Sequence, residues 1–132
     1  MTADFVLDTS AVIAYLRDEP GAAIVDKTLG AYRCVMHAVN VGELCYSAAR
    51  RLPERFSPES AALWIEQAGI GRSHVLTTPF LILSARIRCA VPALSFGDGV
   101  AVALAAITGL PLLTTEKAFA NAAGFARIEL IR

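Results

Sequence analysis

The stretch Phe5-Val6-Leu7-Asp8-Thr9-Ser10 passes from three apolar residues to three residues that commonly cap helices. We interpret it as a buried strand that ends at Asp8 and leads directly into a helix. Short apolar segments alternate with helical patterns along the rest of the chain. Such alternation is typical of an α/β fold with a mainly parallel sheet. We expect four to five strands in one domain over residues 1–132, with further strands at residues 34–36, 75–76, 112–114 and 128–131.

Capping residues and apolar spacing predict the helices between these strands. The first is expected to end near Arg17, and the second to begin at Pro20 and end at Gly30, which we interpret as its C-cap. Ser95-Phe96-Gly97-Asp98 fits a capping box at the start of a helix that is apolar on every side and therefore buried. The other helices are expected over residues 39–52, from Ser57 to Ala68, and from Pro79 onward.

The composition of the 132 residues excludes several classes of protein. Hydrophobic residues make up 55% and charged residues 18%, with 12 basic and 12 acidic side chains. So apolar and neutral a chain is neither intrinsically disordered nor a basic nucleic-acid coat. The longest uncharged run, Gly99–Thr115, is interrupted by a Gly-Leu-Pro turn and is too short to span a membrane. The first residues lack the pattern of a signal peptide, so we expect a cytoplasmic protein.

The three cysteines are predicted to be buried free thiols. They are odd in number, widely spaced along the chain and set among apolar neighbours, which argues against a disulfide or a zinc cluster. The three are Cys34, Cys45 and Cys89.

Four acidic residues lie where an α/β fold places chemistry, near strand ends or helix starts. Asp8 follows the first strand, Glu43 lies on a polar helix stripe, Asp98 begins the buried helix and Glu116 follows the strand at 112–114. Each also has a purely structural explanation. Asp8 and Asp98 could cap helices, Glu116 could interact with a helix dipole, and Glu43 could belong to a solvated face.

Considered together, these acids favour a metal site. Carboxylates gathered in apolar surroundings are costly unless they are protonated or a cation neutralises them, and the same segments hold few cations. Carboxylate oxygens suit Mg²⁺ or Mn²⁺. No His or Cys lies at zinc-ligand spacing, so His37 and His74 are interpreted as structural.

Four motifs in order carry a resemblance to a known family. They are Phe5-Val6-Leu7-Asp8-Thr9-Ser10, Asn40-Val41-Gly42-Glu43-Leu44, Ser95-Phe96-Gly97-Asp98 and Leu113-Thr114-Thr115-Glu116. Together they resemble the PIN-domain ribonucleases, and most closely the VapC-type toxins of bacterial toxin–antitoxin pairs. The resemblance extends from Phe5 to Ile131. It implies a three-layer α/β/α architecture around the sheet.

The resemblance also implies an activity and a site. The activity is metal-dependent endoribonuclease cleavage with one or two Mg²⁺ or Mn²⁺ ions. Asp8, Asp98 and Glu43 would hold the metal, Glu43 directly or through a water, and Ser10, Asn40 and Thr114 would support them. Two departures stand out: Glu116 occupies a position that is usually Asp, and Gly99 one where Ala is common. Glu116 is included among the catalytic and metal-binding residues, although its side chain is one methylene longer than that of the usual Asp.

Partners and rival functions complete the sequence-based hypothesis. The implied partners are an RNA substrate, a VapB-type antitoxin and a second copy of the chain in a homodimer. Arg50, Arg86 and Arg88 are candidates for binding RNA, and so are Arg51 and Arg55, which lie near the first of them. The alternative is a catalytically weak or inactive PIN-like module that binds RNA or a protein. A dehalogenase-type phosphatase, a receiver domain and a serine hydrolase each lack a required residue or motif.

Overall fold

The computed structural model describes residues 2–132, and a five-stranded parallel sheet lies at its centre. The strands are β1 (Phe5–Leu7), β2 (Cys34–His37), β3 (Gly71–Ser73), β4 (Leu112–Thr114) and β5 (Ile128–Leu130). Their order across the sheet is β3-β2-β1-β4-β5, and every neighbouring pair is parallel. The expected α/β class and the number of strands are therefore confirmed.

Helices cover both faces of the sheet. They are α1 (Thr9–Leu16), α2 (Ala22–Ala31), α3 (Ala38–Arg51), α4 (Pro58–Gln67), α5 (Thr78–Ala90), α6 (Phe96–Thr108) and a short 3₁₀ helix (Lys117–Ala122). Helices α1 to α4 contribute to the hydrophobic core on one face, and α5, α6 and the 3₁₀ helix to the core on the other. This is the expected three-layer α/β/α arrangement.

The central strands are apolar on both sides because both faces of the sheet are covered. Along β1, Val6 belongs to the core beneath α6, and Leu7 belongs to the core beneath α1 and α3. Leu112 and Leu113 divide between the same two cores along β4. Each fully buried side chain of this kind contributes about 2 kcal/mol of burial free energy. The sheet therefore provides a rigid base for the residues that follow its strands.

Helix α6 begins with the predicted capping box. The Asp98 amide donates to Ser95 Oγ at 3.2 Å, and the Ser95 amide donates to Asp98 Oδ2 at 2.9 Å. The helix is buried along most of its length, as its apolar sequence predicts, although Ile107 near its end is 53% exposed. Among residues 2–132, none of the helices combines the length and the apolar character that crossing a membrane requires.

The predicted boundaries of α2 were wrong at both ends. The helix begins at Ala22 after Gly21, whose φ of 101° lies in the left-handed region, and it continues through Gly30 to Ala31. A Cβ on Gly21 would lie 2.8 Å from the carbonyl oxygen of Ile131. Gly21 therefore allows both an unusual backbone angle and a close approach of the C-terminal segment, and Gly30 is an ordinary helical residue.

The third strand also differs from the prediction, because it lies at Gly71–Ser73 and not at Val75–Leu76. It pairs with β2 at the edge of the sheet, in the register Val35 with Gly71 and His37 with Ser73. Its residues are mostly exposed, so backbone pairing and not side-chain burial holds it there. An edge strand of this kind has no apolar pattern in the sequence.

The cysteine prediction is only partly confirmed. All three are free, but only Cys34 is buried, while Cys45 is intermediate and Cys89 is exposed. Burial raises the pKa of the Cys34 thiol to about 11. Cys89 is exposed because it lies on the outer face of α5, where an apolar neighbourhood in the sequence does not mean burial.

Candidate active site

A polar cleft of about 230 Å³ lies at the carboxyl ends of β1 and β4. These strands adjoin at the centre of the sheet, where the strand order changes direction, and parallel α/β sheets bind ligands at such a point. All four acids predicted from the sequence line this cleft: Asp8, Glu43, Asp98 and Glu116. Its other lining residues are Thr9, Ser10, Ile13, Glu19, Ser47, Arg51, Thr115 and Arg132.

Asp8 is the most buried of these acids, with 3% of its surface exposed. Its carboxylate accepts hydrogen bonds from the Ala11 amide at 2.9 Å, from the Ser10 hydroxyl at 2.8 Å and from the Thr114 hydroxyl at 2.8 Å. Burial raises its pKa from 3.8 to about 7, with a smaller contribution from the charge of Asp98 and against the lowering effect of these hydrogen bonds. Asp8 therefore caps α1 and also presents a desolvated carboxylate to the cleft.

The Ser10 and Thr114 side chains both form hydrogen bonds with the Asp8 carboxylate. Ser10 Oγ lies within 2.9 Å of both Asp8 carboxylate oxygens and accepts a hydrogen bond from the Thr115 amide at 3.1 Å. Thr114 Oγ1 in turn accepts from the Glu116 amide at 3.0 Å. The start of α1 and the end of β4 are thus joined through the Asp8 carboxylate.

Glu43 reaches the cleft from α3. Its Oε1 accepts a hydrogen bond from Asn40 Nδ2 at 2.9 Å, and the Thr9 hydroxyl lies 3.1 Å from it. Asn40 is buried, and the same amide nitrogen donates to the carbonyl oxygen of Gly97 at 3.0 Å. Asn40 therefore positions Glu43 and joins α3 to the start of α6. Thr9 has no separate signal in the sequence beyond its place beside Asp8.

Asp98 and Glu116 are less buried than Asp8. Asp98 is partly buried and uses Oδ2 in the capping box described above, so it has a structural role as well as a place in the cleft. Glu116 is exposed and precedes the 3₁₀ helix without forming a side-chain cap. Its carboxylate is therefore the least constrained of the four.

The donor set fits a hydrated divalent cation better than a fully protein-bound one. Asp8 is a buried carboxylate that forms no salt bridge within residues 2–132, so a cation in the cleft would offset its desolvation. In that same range, no three Asp, Glu, His or Cys side chains form a group that could hold a metal ion between them. Mg²⁺ commonly uses one or two carboxylates and keeps several waters, which this cleft can accommodate.

Comparison with known proteins agrees with this geometry. Residues 5–125 match the sequence pattern of the PIN domain. The chain belongs to the PIN domain family. The resemblance inferred from the four motifs is confirmed, and this PIN domain has its acids at the switch point of the sheet. No curated protein sequence is significantly similar to it.

Solved structures share the fold of this PIN domain over nearly the whole chain. A DNA-bound VapBC from Salmonella typhimurium is 18% identical, with 99% of this chain and 100% of that chain covered and a TM-score of 0.70. VapC20 from Mycobacterium tuberculosis, described as a Sarcin-Ricin loop cleaving toxin, is 20% identical, with 96% and 99% covered and a TM-score of 0.72. FitAcB from Neisseria gonorrhoeae is 23% identical, with 94% and 95% covered and a TM-score of 0.63.

Three of the arginines predicted to bind RNA do not line the cleft of this PIN domain: Arg50, Arg86 and Arg88. Arg50 is exposed and donates to the Tyr46 hydroxyl at 3.2 Å. Arg86 lines a separate apolar groove beside Ile82. Arg88 donates from Nε to the carbonyl oxygen of Leu94 at 3.2 Å, which is a structural role.

Arg51 is the arginine of α3 that does line the cleft. From Ser47, a spacing of three reaches Arg50 and a spacing of four reaches Arg51, so the helical period alone allows either. In the structure, Arg51 lines the cleft and Arg50 does not. Arg55, farther along, donates to the carbonyl oxygen of Leu16 at 2.9 Å.

Two charged residues of the cleft were not identified from the sequence. Glu19 forms salt bridges with Arg17 at 3.1 Å and with Arg132 at 3.2 Å. Arg132 also donates to the carbonyl oxygen of Pro20 at 3.1 Å, so the C-terminal residue lies against the α1–α2 connection. The contact joins residues 112 positions apart, and no local pattern predicts it.

His37 has the structural role predicted for it. It is fully buried, its Nδ1 accepts from the Val39 amide at 3.0 Å, and its Nε2 lies 2.7 Å from the carbonyl oxygen of Val75. Its ring stacks on Phe80 with 5.4 Å between centroids. Both ring nitrogens are occupied, so His37 belongs to the scaffold and not to the cleft.

Proposed function

We propose that this chain is a metal-dependent endoribonuclease and the toxin of a VapBC-type pair, in which Asp8 and Asp98 would bind a hydrated Mg²⁺ or Mn²⁺ ion and Glu43 would contact it directly or through a water. The observation that supports it most directly is the convergence of the predicted acids in one cleft at the switch point of a PIN fold. VapC20, which shares this fold, is described as cleaving the Sarcin-Ricin loop, and this supports RNA as the substrate class. We also propose a cytoplasmic location, where RNA substrates are abundant.

Hydrolysis of a phosphodiester adds water across a P–O bond. When bound, a divalent cation supplies Lewis-acid activation of the phosphodiester, and two ions would also be compatible with such chemistry. Asp8 and Asp98 would hold the cation, and Glu43 would contact it directly or through a water. Glu116, exposed at the rim and free of a capping role, is assigned to orienting the attacking water. Arg51 would hold a phosphate of the RNA beside the cleft.

A direct test uses purified protein and a structured RNA pool. We expect cleavage with Mg²⁺ or Mn²⁺, no cleavage with EDTA, and loss of at least about 100-fold in rate for Asp8→Asn and Asp98→Asn. Glu54→Gln is a matched control, since Glu54 is an exposed acid outside the cleft. Cleavage that survives EDTA, or that is equal in the two active-site variants and the control, would refute the metal mechanism.

A non-catalytic PIN module remains the second candidate. Two observations favour it: Glu116 is longer than the Asp usual in the family, and no three-ligand group forms within residues 2–132. This candidate predicts a folded protein that binds RNA but cleaves none of it with either cation. Gain of cleavage in Glu116→Asp would assign the defect to the length of that side chain.

We also propose a VapB-type antitoxin as partner. Several of the solved structures with this fold are VapBC or toxin–antitoxin complexes. The cleft contains five carboxyl groups and two arginines, so a basic side chain of an antitoxin fits it. If a short reading frame adjoins this gene, its coexpression with this chain is expected to yield a complex without ribonuclease activity. Independent purification of the two chains would contradict this proposal.

A homodimer is proposed for the chain in solution. Large apolar side chains are exposed on the outer face of α5 and beside it, with Ile82 50% and Phe125 37% exposed. Exposed apolar groups that line one groove commonly mark an interface. Light scattering at micromolar concentration is expected to give the mass of a dimer, and Ile82→Glu is expected to give a monomer. A monomeric mass for the unmodified protein would refute the dimer.

A further inference from the structure

Gly97, in the first turn of α6, lies directly against the carboxylate of Glu43 on α3. A Cβ atom on Gly97 would lie 2.5 Å from Cδ and from Oε1 of Glu43, and closer still to Oε2. Side-chain carbons do not approach a carboxylate this closely. The Glu43 carboxylate therefore occupies the volume that any other side chain at position 97 would fill, and such a side chain would have to displace it from Asn40 and Thr9.

The two oxygens of this carboxylate have different surroundings. Oε1 accepts from Asn40 and lies within hydrogen-bonding distance of the Thr9 hydroxyl. Oε2 accepts no hydrogen bond from residues 2–132, although Glu43 lines the cleft. Asn40 is itself fixed by its bond to the carbonyl oxygen of Gly97. Oε1 is thus held by contacts with Asn40 and Thr9, and Oε2 can still accept a hydrogen bond.

We propose that Gly97 is a positioning residue for Glu43. Its missing side chain lets the Glu43 carboxylate lie against α6, where Asn40 and Thr9 fix Oε1 and leave Oε2 to accept a hydrogen bond from the water shell of a cation in the cleft. The role toward the cation rests on the proposed function. The contact between Gly97 and Glu43 does not depend on it.

The first experiment measures this contact without any metal, as a double-mutant cycle in thermal stability. Alanine forms helices better than glycine, so Gly97→Ala should raise Tm when nothing obstructs the new methyl group. We expect it to raise Tm in the Glu43→Ala background and to lower Tm when Glu43 is present. Gly42→Ala is the matched control, because Gly42 is a helical glycine with no atom within 4 Å of its Cβ position. It should raise Tm in both backgrounds.

The second experiment measures binding of Mn²⁺ by calorimetry after treatment of the protein with EDTA. We expect Gly97→Ala to weaken the affinity about 10-fold, and Gly42→Ala to leave it unchanged. Glu43→Asp shortens the side chain and withdraws the carboxylate from position 97. Adding Gly97→Ala to Glu43→Asp should therefore cost no further affinity.

Each outcome decides a separate question. Equal effects of Gly97→Ala on Tm with and without Glu43 would overturn the contact, as would a failure of the Gly97→Ala/Glu43→Ala protein to fold. Unchanged Mn²⁺ affinity in Gly97→Ala would overturn its positioning role. A wild-type protein that binds no Mn²⁺ would refute the role toward the cation together with the proposed function, and the stability cycle would still decide the contact.

Discussion

The hydroxyl of Thr114 lies 2.8 Å from Oδ2 of Asp8, although 106 positions separate the two residues. The bond joins the ends of two adjacent parallel strands, β1 and β4, at the base of the cleft. It also places a hydrogen-bond donor on a carboxylate that burial would otherwise keep protonated near neutral pH. The Thr114 hydroxyl therefore joins the ends of the two strands and also lowers the pKa of Asp8.

The Thr114 hydroxyl is expected to contribute to stability as well as to the site. Thr114→Val keeps the shape but removes a donor to Asp8 and an acceptor for the Glu116 amide. We expect the free energy of unfolding, from urea titration, to fall by about 1–3 kcal/mol because buried partners are left unsatisfied. Thr114→Ser keeps the hydroxyl and should be the more stable variant. Equal or greater stability of the valine variant would contradict this.

Asp8 is expected to make the stability of the metal-free protein depend on pH. Burial raises its folded-state pKa from 3.8 to about 7, so between these values the folded state holds a proton that the unfolded chain has released. The contribution of Asp8 to the free energy of unfolding therefore falls as pH rises from about 4 to about 7, by on the order of 4 kcal/mol.

Asp8→Asn should remove this dependence of the free energy of unfolding on pH, since asparagine is neutral at every pH in the range. Urea titrations in EDTA at pH 5 and pH 8, compared between the wild type and the variant, measure it. We expect the variant to be relatively more stable at pH 8, while its ribonuclease activity is lost. A variant that follows the wild-type slope would show that Asp8 is not the group responsible.

Divalent cations are expected to stabilise the protein more at pH 8 than at pH 5. A cation binds the ionised form of Asp8, and at pH 5 it must displace a proton from a group whose pKa is about 7. We expect the rise in Tm on adding Mg²⁺ to be larger at the higher pH, and to be lost in Asp98→Asn. A rise in Tm that is independent of pH would argue for binding outside this cleft.

Arg51 and Arg50 form a matched pair for testing RNA binding. They are adjacent at the end of α3 and both are exposed, but only Arg51 lines the cleft. We expect Arg51→Ala to raise KM about 10-fold, corresponding to one lost charge-assisted phosphate contact. Arg50→Ala should change KM little at the same ionic strength. Equal increases in KM for the two variants would indicate that positive charge near the end of α3 contributes to RNA binding in general, without a specific contact from Arg51.

The parts of the fold that could be predicted from the sequence depend on near neighbours. The capping box joins Ser95 and Asp98, three positions apart, and its residue types alone predict both hydrogen bonds. Strand β1 and the capping role of Asp8 are local in the same way. Strand β3 could not be predicted, because its position depends on backbone pairing with β2 and not on its own side chains.

The amino-acid sequence by itself determined the α/β class, the order of the elements and the four acids, because apolar periodicity, caps and strand-end residues are properties of short segments. Only the tertiary structure decided that Arg51 and not Arg50 enters the cleft, that Arg132 joins it, and that the Glu43 carboxylate fills the space beside Gly97. Each of these contacts brings together segments far apart in the chain. Their geometry follows from how the helices pack on the sheet, which no local pattern encodes.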